Sequence, residues 1–398
     1  MHCRAIPYRR GVTRYVGAAE AARQLGVRRE TLYAYVSRGL IGRRVAVDGR
    51  TSLYATDDLD ALAGRGRRRA AAPRPSLDVQ IATAITTLDD DGVRYRGHDV
   101  ARLARMCTYE QVAELLWTGD LPTRRRAVWP EPASGDVKLV GRVARPLGDG
   151  GVPALLAAAN ALDAATPDGD DAAAAARRLL TLVPIALGGP ARGGSLAERL
   201  AARWSPHSAD ALVPALQRGL ILLADHELAT STLAVRLAGS VRSSPYAAFA
   251  AGLAVLRGPL HGSATGAALD LLHECRRDGS AAVVTRRLDR GERLPGFGHK
   301  IYAGDDPRLA PMLEAVDALP DPSGRAPIVG EVIAAVSGRL LRRPNVDLGL
   351  GALLFVAGLP AETPLFAIAR IAGFAAHFAE ELAERPVRYR GIARAAGG

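Results

Sequence analysis

Along most of this chain apolar residues recur three and four positions apart, with polar residues on the opposite side. From Ser76 to the C-terminus, alanine- and leucine-rich segments at helical spacing are separated by Gly, Pro and Asp breaks, with little β-branched alternation. This predicts a mostly α fold. The first 64 residues read differently. Ala18, Ala21, Ala22 and Leu25 share one helical face, Gly26 allows a tight turn, and Leu32, Val36 and Leu40 mark a second helix ended at Gly39. Val45-Ala46-Val47 and Thr51-Ser52-Leu53-Tyr54 then flank Asp48-Gly49, which predicts a β-hairpin, and Thr56 or Asp57 caps a third helix. Residues 65–75, RGRRRAAAPRP, carry no periodicity and read as a basic linker.

Charge sharpens that division. The net charge is +11 over 398 residues, yet residues 1–75 hold 16 Arg against six acidic residues, so ten of the eleven positive charges sit in the head. The body is near neutral. Such asymmetry points to an acidic partner for the head. Hydrophobic residues make up 48% and charged residues 23%, which excludes a disordered chain. No uncharged apolar run approaches the roughly 20 residues of a membrane span, and the N-terminus has no apolar signal segment. Cys3, Cys107 and Cys275 lie far apart without a CxxC pair, so neither a disulfide framework nor a cysteine zinc site is expected. The expected compartment is a reducing cytoplasm.

Candidate chemistry is concentrated in four stretches of the body. ADHELATSTLAVRLAGS carries His226 between two acids. RGPLHGSATGAALDLL places His261 in a Gly/Pro-delimited turn before a helix. LPGFGHKIYAGDDPRL holds His299, Lys300 and Arg308, and RRPNVDLGLGALLF places Asp347 ahead of an apolar helix. Glycines beside the histidines let a ligand approach the backbone closely. Neither a P-loop nor a Rossmann GxGxxG is present, and no clear metal-ligand cluster is seen.

GPLHG, GFGHKIYAGDDPR and PNVD, in this order and spacing, resemble the citrate synthase family. VRYRGHDVARLARMCTYEQVAELLWTGDLP, ADHELATST and IARIAGFAAHFAEELAERPVRYRG extend the likeness over roughly Ser76–Gly391. The resemblance implies an all-helical enzyme, generally a homodimer, that condenses acetyl-CoA with oxaloacetate and hydrolyses the citryl thioester without metal or bound cofactor. It implies a large domain from residues 76–261 and 353–398, the latter ending in a C-terminal arm, and a small closing domain, 262–352, with the catalytic loops. Asp347 matches the carboxylate that removes the methyl proton. His261 matches the histidine that hydrogen-bonds the thioester oxygen, and His299 the one that polarises the ketone and protonates the alkoxide. His226, Arg308 and Arg370 match oxaloacetate ligands, and Arg385 an arginine that crosses from the partner subunit. Lys300, Arg342 and Arg343 are expected near the CoA phosphates. A thioester α-proton is too weakly acidic for an ordinary carboxylate of pKa about 3.9, so the chemistry needs a desolvated base and donors aimed at the developing enolate.

Two departures bear on acyl choice: Gly262-Ser263-Ala264-Thr265-Gly266 and Leu348-Gly349-Leu350 replace the family's usual residues after His261 and Asp347. A 2-methylcitrate synthase using propionyl-CoA is the alternative within the class. The head, over residues 14–64, resembles the winged helix-turn-helix of the MerR and excisionase type. That resemblance places Arg28, Arg29, Thr31 and Tyr35 on or near a recognition helix and Arg43, Arg44 and Arg50 on the wing, against duplex DNA. It leaves a second function class open: a transcription regulator whose citrate synthase-like body is a metabolite sensor.

Overall fold

The computed structural model describes residues 15–38, 40–46, 51–65, 80–89, 92–123, 129–148, 150–166, 171–258, 261–262, 264–298, 302 and 304–390. The head runs β1 (Tyr15–Gly17), α1 (Ala18–Leu25), α2 (Arg29–Ser37), β2 (Arg43–Val45), β3 (Ser52–Ala55) and α3 (Thr56–Arg65). Its strands pair antiparallel in the order β1-β3-β2, with Arg43 opposite Tyr54 and Val45 opposite Ser52. Helix α1 stops where Gly26 takes φ +65°, turning its N–H back onto the carbonyls of Ala22 and Arg23. Ala21, Ala22 and Leu32 from the predicted faces are buried together with Ile41, Tyr54 and Leu59. The Asp48-Gly49 turn lies outside the described residues.

The head is docked on the body. Val27 bridges antiparallel to Leu340, the Arg28 N–H donates to the Arg339 carbonyl at 3.3 Å, and the Leu341 N–H donates to Gly26 at 3.2 Å. The Thr31 hydroxyl adds a second donor to the Arg339 carbonyl at 3.0 Å. Arg38 pairs with Asp289 at 2.6 Å across the same seam. Val27, Tyr35 and Leu340 are buried there.

The body is helical from Val100 onward. Its centre is the final helix Leu365–Leu382, LFAIARIAGFAAHFAEEL, apolar on nearly every side and therefore sunk into the core. It packs against Tyr109–Thr118, Ala172–Ala186, Ala209–Leu223, Thr230–Ser240 and Pro245–Leu256. Each fully buried Leu or Phe on it contributes about 1.5–3 kcal/mol of transfer free energy. Gly252 permits the approach, because a Cβ there would lie 2.7 Å from both Phe374 and Val235. A second group consists of Ala264–Asp278, Ser280–Asp289, Leu309–Asp317, Ala326–Ser337 and Val346–Ala357. Here the glycines after Asp347 acquire a packing reason: a Cβ on Gly349 would meet Met312 at 2.8 Å, and one on Gly351 would meet Ala268 at 3.0 Å.

One element goes beyond the helical expectation. Thr86–Asp89, Gly92–Tyr95 and His98–Asp99 form a small antiparallel sheet at the start of the body. It delivers Tyr95 into the core, where the phenol donates to the carbonyl of Asp225 at 2.8 Å. Among the described residues, no helix is long and apolar enough to cross a membrane.

Candidate active site

The stretch holding Asp347 and the loop before His299 are laced together. The Gly298 N–H donates to Arg343 at 2.7 Å and the Asn345 N–H to Gly296 at 2.9 Å, while the Asn345 amide donates to Gly298 at 2.8 Å. Gly296 is required at φ +78°, since a Cβ would sit 2.7 Å from that of Leu348. Asn345 also caps the following helix, its Oδ1 accepting from the Asp347 N–H at 3.0 Å. Asp347 thus stands in the first turn of a helix whose N-cap is Asn345. Burial, reinforced by the Asp306 charge, pushes its carboxyl above the ordinary range despite the pull of Arg308 and Arg370.

Arg308 and Asp306 form a buried bidentate pair at 2.8 and 2.9 Å. The same carboxylate accepts the Val346 N–H at 3.0 Å, so Asp306 staples the DPR segment to the helix that bears Asp347. Asp306 escaped attention in the sequence, although it stands in the same motif as Arg308. His226 is buried, with its Nε2 2.9 Å from the Tyr302 hydroxyl. Burial, then the charges of Arg308 and Arg370, hold its pKa down at about 2, so the ring is neutral. The next residue, Glu227, sits at φ +50°, a conformation uncommon outside glycine that turns the chain away beside His226.

Arg370 projects from the final helix and is 1% exposed. Its Nε donates to the Leu223 carbonyl at 3.1 Å and its guanidinium lies 4.8 Å over the Phe366 ring. Nη1 has no hydrogen-bond partner among the described residues. His261 stacks edge-on to the same Phe366 ring at 6.3 Å, and its Nε2 lies 2.8 Å from the Ser231 hydroxyl. Burial and the Arg370 charge lower its pKa. The field of Arg370 therefore reaches His226, His261 and Asp347 together. Ser231 belongs to the ADHELATST motif, and Phe366 and Tyr302 were legible only as apolar or aromatic residues beside named ones.

Behind the site runs a buried polar chain. Asp225 accepts from Thr86 at 2.5 Å and pairs with His377 at 3.3 Å. Burial raises the Asp225 carboxyl, but His377, Arg370 and Thr86 outweigh that and hold it at about 2. His377 accepts from Arg236 at 2.9 Å, and Arg236 reaches Glu380 and Glu381. Glu381 then holds Arg388 and Tyr389 of the C-terminal arm. His377, which helical spacing alone marks as packing, is a link in this chain. Gly373 is needed because a Cβ would collide with Asp225 and the Ala224 carbonyl.

Most of the other expected residues are exposed or lie outside the described residues. Arg385 is exposed just beyond the final helix, and Arg342 and Arg343 are exposed, the latter paired with Asp305 at 3.1 Å. His299, Lys300 and Arg50 lie outside the described residues. In the head, Arg28, Arg29, Arg43 and Arg44 are exposed. Thr31 and Tyr35 correct the expectation for the recognition helix: both are buried, Thr31 bonded to Arg339 and Tyr35 covered at the seam, so in this arrangement neither reaches a nucleic acid. Among the described residues, no group of His, Cys, Asp or Glu could hold a metal ion.

With this geometry in view, likeness to known proteins is informative. The family model "Citrate synthase, C-terminal domain" matches residues 78–140 and 150–394. The chain is 31% identical to the citrate synthase of Corynebacterium glutamicum, over 75% of this chain and 79% of that one. It is also 31% identical to the 2-methylcitrate synthase of Mycobacterium tuberculosis, over 73% and 81% respectively. Its fold matches a ternary complex of carboxymethyl coenzyme A and oxaloacetate with the citrate synthase of Thermoplasma acidophilum, at a TM-score of 0.66, 27% identity and 81% and 95% coverage. The citrate synthase of Pyrobaculum aerophilum matches at a TM-score of 0.68, 26% identity and 80% and 91% coverage. The chain belongs to the citrate synthase family and is an acyltransferase of that type.

Proposed function

We propose that this protein condenses the α-carbon of an acyl-CoA with the ketone of oxaloacetate and then hydrolyses the resulting thioester, acetyl-CoA being the first candidate. The observation that carries this reading is Arg370, a buried guanidinium whose charge acts on Arg308 and His226 and whose Nη1 has no acceptor among the described residues. A dicarboxylate supplies acceptors of the required charge, and a planar fork binds carboxylates bidentately. His226, neutral in this setting, and Arg308 complete the pocket for it.

On the thioester side, Asp347 takes the α-proton, its affinity for that proton raised by burial. With the Ser231 hydroxyl donating to Nε2 of His261, the ring proton is placed on Nδ1, which donates to the thioester oxygen as it becomes an enolate. The enol carbon attacks the ketone carbon, and the new alkoxide takes a proton from His299, assigned by its place in GFGHK. Water then cleaves the thioester and releases CoA. Residues 76–261 and 353–398 act as the large domain and 262–352 as the closing one. Lys300, Arg342 and Arg343 meet the CoA phosphates, and Arg385 acts across a homodimer interface.

Free-thiol release from acetyl-CoA tests this, with and without oxaloacetate and with propionyl-CoA in parallel. Oxaloacetate-dependent release that disappears in Asp347→Asn supports the assignment, and no release with either thioester refutes it. The ratio of the two rates decides between citrate and 2-methylcitrate synthesis, which the equal identity to both kinds of relative leaves balanced. For the head, the order of helices and hairpin together with exposed Arg28, Arg29, Arg43 and Arg44 supports a winged helix-turn-helix that contacts an anionic partner. Titration of duplex DNA at rising salt tests it, and absence of salt-dependent binding rejects it.

A further inference from the structure

We propose that the head is a working part of the catalytic site, and that Thr31 is a positioning residue for Asp347. The inference rests on the reading of Asp347 as the base. Residues 339–345 run from the turn that closes the helix Ala326–Ser337 to the N-cap of the helix bearing Asp347, and the segment is hydrogen-bonded at both ends. Its first half is held by the head: Val27 bridges Leu340, the Arg28 N–H and the Thr31 hydroxyl both donate to the Arg339 carbonyl, and the Leu341 N–H donates to Gly26. Its second half is held by the glycine loop before His299, through Gly298 to Arg343 and Asn345 to Gly296. Asn345, at its end, caps the helix that starts with Val346 and Asp347.

The segment is thus a strap between the head and two chemical groups. A carbonyl that accepts two donors from one helix and its lead-in turn cannot slide without breaking both, and a displacement of about 1 Å at a reacting group costs on the order of 100-fold in rate. The docked face of α2 is Thr31, Tyr35 and Arg38, spaced i, i+4, i+7 on one side of the helix. Each meets the body: Thr31 at Arg339, Tyr35 in the buried seam, Arg38 at Asp289. Two of the oxaloacetate groups, Arg370 and His226, stand clear of this seam, and Arg308 is linked to it only through the bond from the Val346 N–H to Asp306. Arg370 stands on the final helix, His226 follows the core helix Ala209–Leu223, and Arg308 is held by Asp306. Loosening the head therefore acts first on proton abstraction and less on dicarboxylate binding, which keeps Arg370 and His226 in the core.

The test uses the full-length protein. Thr31→Val keeps the shape of the side chain and removes the donor; Thr31→Ser keeps the donor. Arg38→Glu opposes Asp289, and the double variant Arg38→Glu/Asp289→Arg restores an opposite-charge pair. Calorimetric titration with oxaloacetate reports both affinity and the number of competent sites, and thiol release reports kcat. The expected result is a kcat per competent site lowered about 5-fold in Thr31→Val and about 3- to 10-fold in Arg38→Glu, with any change in oxaloacetate affinity smaller than the loss in kcat. Thr31→Ser and the charge-swapped double variant return to near the parent rate. The proposal is overturned if kcat per competent site is unchanged in both single variants, or if the losses are not restored by the two rescuing variants. Failure of the underlying reading shows separately, as activity that survives Asp347→Asn.

Discussion

The two halves of the site are held in different ways. On the side proposed to take oxaloacetate, Arg370 and His226 stand in the packed core, backed by the buried chain from Asp225 through His377 and Arg236 to Glu381. On the side proposed to take the thioester, His261 sits in a glycine-flanked turn 2.8 Å from the Ser231 hydroxyl, and Asp347 in the first turn of a helix capped by Asn345. The difference follows from the task. Binding a dianion needs cations whose positions do not relax, because reorganising them costs the electrostatic gain. Moving a proton needs groups whose pKa is tuned by partial burial, and His261 and Asp347 are half-buried where Arg370 and His226 are buried.

Removing the base should break the comparison hardest. Asp347→Asn is expected to lower kcat by about 10²–10⁴-fold, with oxaloacetate binding retained in a calorimetric titration. Loss of both together would mean that the two halves are not separable.

Arg370→Lys should do the reverse. A point charge cannot reproduce the bond from Nε to Leu223 and also serve a carboxylate, so the KM for oxaloacetate should rise on the order of 100-fold, with a smaller fall in kcat. Steady-state kinetics with varied oxaloacetate measures it.

Acid sharpens the contrast through stability. His226 has a folded pKa near 2 against an ordinary 6.5, so below about pH 6.5 the unfolded chain takes up a proton that the folded one refuses. Stability should then fall by up to about 1.4 kcal/mol per pH unit as pH drops from 6.5. Thermal melts between about pH 7 and 5 should show that slope reduced in His226→Gln. Asp225 acts in the same direction but in a lower window: its depressed pKa stabilises the fold above the usual carboxylate range, and that contribution is lost only as pH falls from about 4 toward 2.

The smallest effect is expected at the rim. Arg343 is paired with Asp305 in solvent, so Arg343→Ala should change stability by less than about 1 kcal/mol. A salt-sensitive rise of a few-fold in the acyl-CoA KM, with none for oxaloacetate, would place it beside the CoA phosphates.

Much of this site is legible in the chain as written. His226, His261, Arg308, Asp347 and Arg370 stand in short motifs, and folding brings their fields onto one another. What was not legible has common causes. Asp306 closes its own turn on Arg308 and also holds the Val346 N–H, and Ser231 meets His261 from the helix Thr230–Ser240; in each the long-range contact alone shows the use. His377 looks like packing because its helix is apolar, and its partners Asp225 and Arg236 are 152 and 141 residues away. The sheet at Thr86–Asp99 consists of strands of two to four residues, too short for an alternation to show.

By itself the sequence determined the helical class, the boundary between a basic head and a neutral body, and the residue types able to bind a dicarboxylate and move a carbon-bound proton. Those follow from local periodicity, charge count and side-chain chemistry, which do not depend on what packs where. Only the tertiary structure decided which way α2 faces. Thr31, Tyr35 and Arg38 suit a nucleic-acid groove and a protein seam equally well as chemical groups. The choice was made by the carbonyl of Arg339, more than 300 residues along the chain, which offers the Thr31 hydroxyl an acceptor.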